Sequence, residues 1–186
     1  MNDKVTKIRP AYPENMEPNL CKSEKPEKPE IYRYLLGRMG KKTLVAICMN
    51  PSAANMEYSD RTINRIIKVS EKLKYDGWVI ANLYPERATR ASELGAYNDE
   101  QQEKNIQIIM KFLKDNGIKE VWGAWGDLNH PVLTKSKKKL LSELKKADIK
   151  IYTFAALTKK GEPVHPLNRV VKQDFSRKIN FDFSCS

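Results

Sequence analysis

Cysteine is scarce in this chain: Cys21, Cys48 and Cys185 are far apart, odd in number and form no CxxC pair. An odd number of scattered thiols fits neither a disulfide framework nor a paired-cysteine zinc site, so neither is expected, and no metal or cofactor is expected. Long apolar runs are missing too. No stretch approaches the length of a membrane span, and the charged N-terminus lacks the apolar core of a signal peptide. A soluble, cytoplasmic chain without a membrane partner is the expectation. No internal repeat appears at a useful period, which argues against solenoids and propellers. The 186 residues can bury one sizeable core but not two comfortable ones, so a monomeric single-domain protein is expected.

Positive charge is what the chain has in excess: 34 Lys plus Arg face 23 Asp plus Glu, a net charge of +11. Residues 1–30 balance six basic against six acidic side chains, so the whole excess lies in 31–186. A folded domain with that excess attracts polyanions, nucleic acid first among them; the plainer reading is solubility. Residues 1–30 also hold five of the ten prolines and the stretch KSEKPEKPE. They read as an extended Pro-rich N-terminal arm without a core of its own, followed by a single α/β domain over 31–186.

Within that domain, residues 31–36 alternate like a strand, and GRMGKK turns into a second strand at 43–49, which predicts a hairpin at a sheet edge. Ser59 or Asp60 can cap a helix carrying Ile63, Ile66, Ile67 and Leu73 on one face. Strand-like runs follow at 78–83, 118–126 and 149–157. Asn98 opens a second helix, and Pro131 starts a third that carries Leu133, Leu140, Leu141 and Leu144. Strands alternating with amphipathic helices predict a three-layer α/β/α fold around a central, mostly parallel, four-stranded sheet.

In a parallel sheet the carboxyl ends of the strands share one edge, where ligands bind. Four polar segments would meet there: 48–52, 81–87, 122–127 and 156–169. Pro51 forces Asn50 towards an extended conformation, so its amide should project from the strand end. Asn82 and His165 can join it; Tyr84, Trp122 and Trp125 offer flat rings; Arg87, Arg90, Lys159, Lys160 and Arg169 offer charge. Each has a structural alternative. The asparagines can satisfy loop backbone groups, the tryptophans can pack in the core, and Ser59-Asp60-Arg61-Thr62 can be a helix start, the alternative to Asp60, Thr62 and Arg65 lining the cleft. The lysines of the third helix read as a solvated face. Asp60, Glu86 and Asp127 lie nearby in sequence, yet none is demanded by a motif.

Cys48-Met49-Asn50-Pro51-Ser52 resembles the first motif of the uracil-DNA glycosylase superfamily in its G-[IM]-N-P-G form. The strand ending in Asn82 resembles the strand whose terminal Asn reads the base, VWGAWG resembles the superfamily's LLWG strand, and His165-Pro166-Leu167-Asn168 its H-P-S loop. YRYLLGRMG, LVAICMNPSAAN, SDRTINRI, ANLYPERAT and LTKKGEPVHPL together resemble a bacterial and phage family known only as a domain of unknown function, over about residues 31–171. Cys48 and Ser52 stand where the first motif has glycine, and Leu167 where the loop motif has serine, which narrows the space for a flipped base.

The glycosylase resemblance implies that the chain flips a base out of DNA and hydrolyses its N-glycosidic bond, leaving an abasic site. It implies roles as well. Asn50 would position water and neutral His165 would donate to the departing base. Asn82 would read the base edge, with Met49 and Ser52 against it and Tyr58 or Tyr84 stacked on the ring. Arg87, Arg90, Lys159, Lys160, Asn168 and Arg169 would hold DNA. A modified pyrimidine, hydroxymethylated or glucosylated and excised in antiviral defence, is the expected substrate, with uracil or mismatch repair as the conventional alternative. Two other classes stay open: a nucleic-acid-binding module without catalysis, and an enzyme acting on free nucleotides.

Overall fold

The computed structural model describes residues 10–24 and 31–182. Among them the chain forms seven strands: β1 Leu20–Ser23, β2 Arg33–Arg38, β3 Thr43–Cys48, β4 Gly77–Asn82, β5 Glu120–Gly123, β6 Lys150–Thr153 and β7 Ile179–Asn180. It also forms three α-helices, α1 Arg61–Lys72, α2 Asp99–Asp115 and α3 Pro131–Lys146, and a short 3-10 turn at Ala91–Glu93. The helix starts follow local chemistry. The Asp60 carboxylate accepts from the Ile63 N–H at 2.9 Å, the Asn98 side chain accepts from the Gln101 N–H at 3.0 Å, and Pro131 occupies the first turn of α3 behind His130.

All seven strands lie in one sheet of order β1-β2-β4-β3-β5-β6-β7. β4, β3, β5 and β6 are parallel; β2 pairs antiparallel with β4, β1 with β2, and β7 with β6. The sheet is therefore mixed and wider than the expected four-stranded parallel one. Nor do β2 and β3 form the expected hairpin, because β4 lies between them and pairs with both, Ala81 against Leu35 and Ile47. The Pro-rich arm is likewise only partly an arm. Leu20–Ser23 is the edge strand, Tyr12 stacks on Trp78 at 5.8 Å, and the Trp78 indole N–H donates to the Met16 carbonyl at 3.0 Å. The rest of that segment, 1–9 and 25–30, lies outside the described residues.

Both faces of the sheet are covered, which is why LVAIC is apolar without alternation. Leu44, Ala46 and Ile80 meet Ile63, Ile66 and Ile67 of α1. Val45, Ile47, Val79 and Ala81 meet Ile106 and Ile109 of α2 and Leu140 and Leu144 of α3. Each of these Val, Leu and Ile side chains contributes about 1.5–3 kcal/mol when fully buried. Trp122 and Trp125 belong to this core, each 0 % exposed. The parallel strands set their carboxyl ends, and the loops that follow them, along one edge.

Candidate functional site

A cleft of about 270 Å3 opens at that edge, beside the start of α1, and Cys48, Asn50, Ser52, Asp60, Asn82 and His165 are among its lining residues. β3 and β4 deliver the first part of it in register, Cys48 opposite Asn82. Asn50 follows two residues on. Its amide nitrogen donates to the Ala88 carbonyl at 2.8 Å and the Pro51 carbonyl at 3.1 Å, so the side chain ties the loop after β4 to the loop after β3. Its amide oxygen makes no hydrogen bond within the described residues and can accept from a ligand or water. Asn82 is 2 % exposed, and its amide nitrogen is buried without an acceptor. A buried donor left unpaired costs about 1–3 kcal/mol, so an acceptor supplied by a ligand would recover that cost.

His165 reaches the cleft from the loop after β6, and two features hold it there. Gly126, in the loop after β5, has φ +73°, and a Cβ on it would lie 2.9 Å from the His165 Cβ; only glycine permits that approach. Glu162, earlier in the His165 loop, accepts from the Trp125 indole N–H at 2.7 Å and pairs with Lys137 of α3 at 2.5 Å. The imidazole Nδ1 accepts from the Leu167 N–H at 3.2 Å, so in the neutral ring the proton sits on Nε2. Burial lowers the imidazole's pKa below its ordinary value, with the Asp60 carboxylate opposing. His165 at neutral pH is thus a neutral donor.

Two cleft groups escaped sequence reasoning in whole or in part. Asp60 caps α1 and, among the described residues, is the one carboxylate lining the cleft. The cap engages Oδ1, and its negative charge reaches Arg33, Cys48 and His165. Burial, with Asp60 adding to it, pushes the Cys48 thiol up to about 12, so Cys48 is no thiolate nucleophile. Arg33, the second, carried no signal in sequence. Strict alternation along β2 would put it on the Leu35 side, under α2. Instead, the register with β1 shifts, Lys22 opposing Leu35 and Ser23 opposing Arg33, with Tyr34 the extra residue. Tyr34 and Leu35 both turn towards α2, the Tyr34 hydroxyl donating to Gln101 at 2.7 Å, and Arg33 swings to the cleft. Re-aiming a side chain is what a β-bulge does. Arg33 is 2 % exposed; burial, then the neighbouring Arg87 charge, push its pKa down to about 10.

The other expected site residues divide. Met49 and Ser52 line the cleft, as does Thr62, while Arg65 sits over the Phe175 ring. Tyr84 does not: it is fully buried against Tyr97, and its hydroxyl accepts from the Asn98 N–H at 3.0 Å, because the chain turns after Asn82 and sends the ring under α3. Tyr58 is 41 % exposed on the loop after β3, outside the cleft lining. Arg90, Lys159 and Arg169 are exposed on loops of the same edge, and Lys160 reaches Asn129 at 2.9 Å. Arg87 instead donates to the Ala54 carbonyl at 3.0 Å, and Asn168 accepts from the Val170 and Val171 N–H groups, which ties both to loop structure. Among the described residues no group of three or more His, Cys, Asp or Glu is placed to hold a metal ion.

A family model described as "Protein of unknown function (DUF1643)" matches residues 33–167. No curated protein and no solved structure matches the chain. That description names no activity, so the likeness to the uracil-DNA glycosylase superfamily rests on the motifs alone. The match takes in β2 to β6, the three helices, and the loops bearing Asn50, Asp60, Asn82 and His165; over these residues, well past half its length, the chain belongs to the DUF1643 family.

Proposed function

We propose that the protein is a DNA glycosylase that excises a pyrimidine base and leaves an abasic site. One observation carries this reading: Asn50, Asn82 and His165, from three separate segments, line a single cleft of about 270 Å3. That volume is below the roughly 300–1,000 Å3 of drug-sized pockets and suits one heterocycle. Around it, the loops of the same edge carry exposed Arg90, Lys159 and Arg169, with Met56, Tyr58, Leu157 and Val170 as exposed apolar side chains. Cations for phosphate and apolar groups for unstacked bases are what a surface that extrudes a nucleotide needs; the extrusion itself costs a few kcal/mol.

Cleavage of the glycosidic bond leaves positive charge on the sugar and negative charge on the departing base. Neutral His165, with Nε2–H as its donor, would stabilise the base as charge develops, where a preorganised donor counts most. Asp60 would face the sugar cation. The Asn50 amide oxygen would hold the attacking water, and the orphaned Asn82 donor would read a ring acceptor. A substrate bearing a phage-type modification, hydroxymethyl or glucosyl, would extend from the ring towards the open mouth.

The test is to incubate the protein with DNA carrying uracil, mismatched thymine, hydroxymethylcytosine or its glucosylated form, then treat with alkali. Strand breaks lost in Asn82→Ala and His165→Ala are expected. Absence of alkali-labile sites on every substrate would refute the enzyme reading and leave a binding module, recognised by salt-sensitive DNA affinity that Asn50→Ala does not change.

A further inference from the structure

Arg33 is the most unusual charge in the described structure. It is the first residue of β2, turned into the cleft by the bulge, and is 2 % exposed. Its Nη1 donates to the Ala54 carbonyl, its Nε is buried with no acceptor, and no ion pair joins it to a carboxylate among the described residues. Asp60 lies close enough to act on it through space but is not in contact. A buried cation without a direct counter-charge is costly unless an anion or a set of acceptors completes it. In the same cleft the Asn82 amide nitrogen is a second buried donor with no acceptor. An amide can turn over and offer its oxygen; a guanidinium has only donors. Arg33 therefore decides the polarity of this wall.

We propose that Arg33 is the specificity-determining residue of the cleft and that, with Asn82, it selects a pyrimidine presenting carbonyl or carboxylate oxygens to that wall over one presenting an amino group. The inference rests on the cleft taking a base and narrows which base it takes: oxo-pyrimidines, above all those with an acidic substituent, ahead of cytosine-type rings. Asp60 is the group that could reverse the preference, since a carboxylate accepts from an exocyclic amine. One of its oxygens is already engaged by the Ile63 N–H.

The experiment titrates the full chain with three free bases, 5-carboxyuracil, uracil and cytosine, followed by NMR or calorimetry. The expected order of affinity is 5-carboxyuracil, uracil, cytosine. Arg33→Gln should weaken 5-carboxyuracil binding by at least about tenfold, the scale of a lost hydrogen bond to a charged group, and leave cytosine unchanged, with Arg33→Lys in between. Because Arg33 also ties down Ala54, unfolding of each unliganded variant is measured alongside; if Arg33→Gln does not fold, the wild-type order and the Lys variant decide. Cytosine binding as tightly as 5-carboxyuracil, no binding by any base, or an Arg33→Gln protein that folds and binds unchanged would each overturn the proposal. No bond is broken in this assay, so Arg33-dependent binding without abasic sites in DNA would sink the glycosylase reading alone. Abasic sites formed only at cytosine-type bases would sink this inference alone.

Discussion

Neighbouring strands β3 and β4 lead into the cleft through asparagines, Asn50 just past the end of one and Asn82 at the end of the other, and the two amides are used differently. Asn50 gives its NH2 group to carbonyls of the loops around it and keeps only its oxygen available. Asn82, 2 % exposed, gives its NH2 group to no acceptor among the described residues. The contrast separates scaffold from recognition. Asn105, on the buried face of α2, shows what a purely structural buried asparagine looks like here: its NH2 group donates to the Asn82 carbonyl at 3.0 Å and leaves only an oxygen unpaired. Among the described residues that line the cleft, the buried groups without a partner are donors, Asn82 Nδ2 and Arg33 Nε, so a ligand that offers acceptors to that wall complements them.

Substitutions can break this contrast, and the largest effect is expected at Asn82. Asn82→Ala should lower base excision about 100- to 1,000-fold, the range for one preorganised donor, while unfolding free energy does not fall, because no side-chain hydrogen bond is lost and an unpaired buried donor is removed. A marked drop in melting temperature would instead make Asn82 scaffold. Gly126→Ala comes next, since its Cβ would meet that of His165 at 2.9 Å in a φ +73° backbone. It should cost about 1–3 kcal/mol in denaturant unfolding and, by displacing the imidazole, up to about 100-fold in rate.

Asn50→Ala should cost about 1 kcal/mol of stability, seen as a lower denaturant midpoint at constant slope. Asn50→Asp should be worse than Ala, because it sets a carboxylate oxygen against the Ala88 and Pro51 carbonyls. Asp60→Asn keeps an N-cap and should stay within ~0.5 kcal/mol of wild type where Asp60→Ala loses about 1 kcal/mol, yet both should lose activity. The smallest effect concerns pH. Burial holds the folded His165 pKa below its ordinary 6.5, so its contribution to stability is full above that value and is lost as pH falls through the folded pKa. His165→Asn should flatten that part of the stability curve; an unchanged curve would mean that the imidazole titrates as in the unfolded chain.

Much of this arrangement was legible in the residues, and the exceptions share a cause. Apolar runs and local caps announced β3, β4 and the three helices, with Asp60, Asn98 and Pro131 at their starts. Asn50, Asn82 and His165 were found because parallel strands must bring their ends together. β1 and β7 were missed because LCKS and a two-residue IN are too short and too little buried to show a period. Tyr84 was misplaced because the chain turns after Asn82, and Arg33 was overlooked because one extra residue in β2 reverses the alternation that sequence reading relies on.

Local spacing and capping, being properties of a few adjacent residues, were enough by themselves to determine which segments become helices and central strands, and that the chain carries an α/β fold with a polar edge. Only the tertiary structure decided that β4 sits between β2 and β3, that Arg33 and Asp60 face the same cleft as Asn82 and His165, and which buried donors were left without partners. Those outcomes depend on which distant segments supply the acceptors and the neighbours, and no short window of sequence contains them.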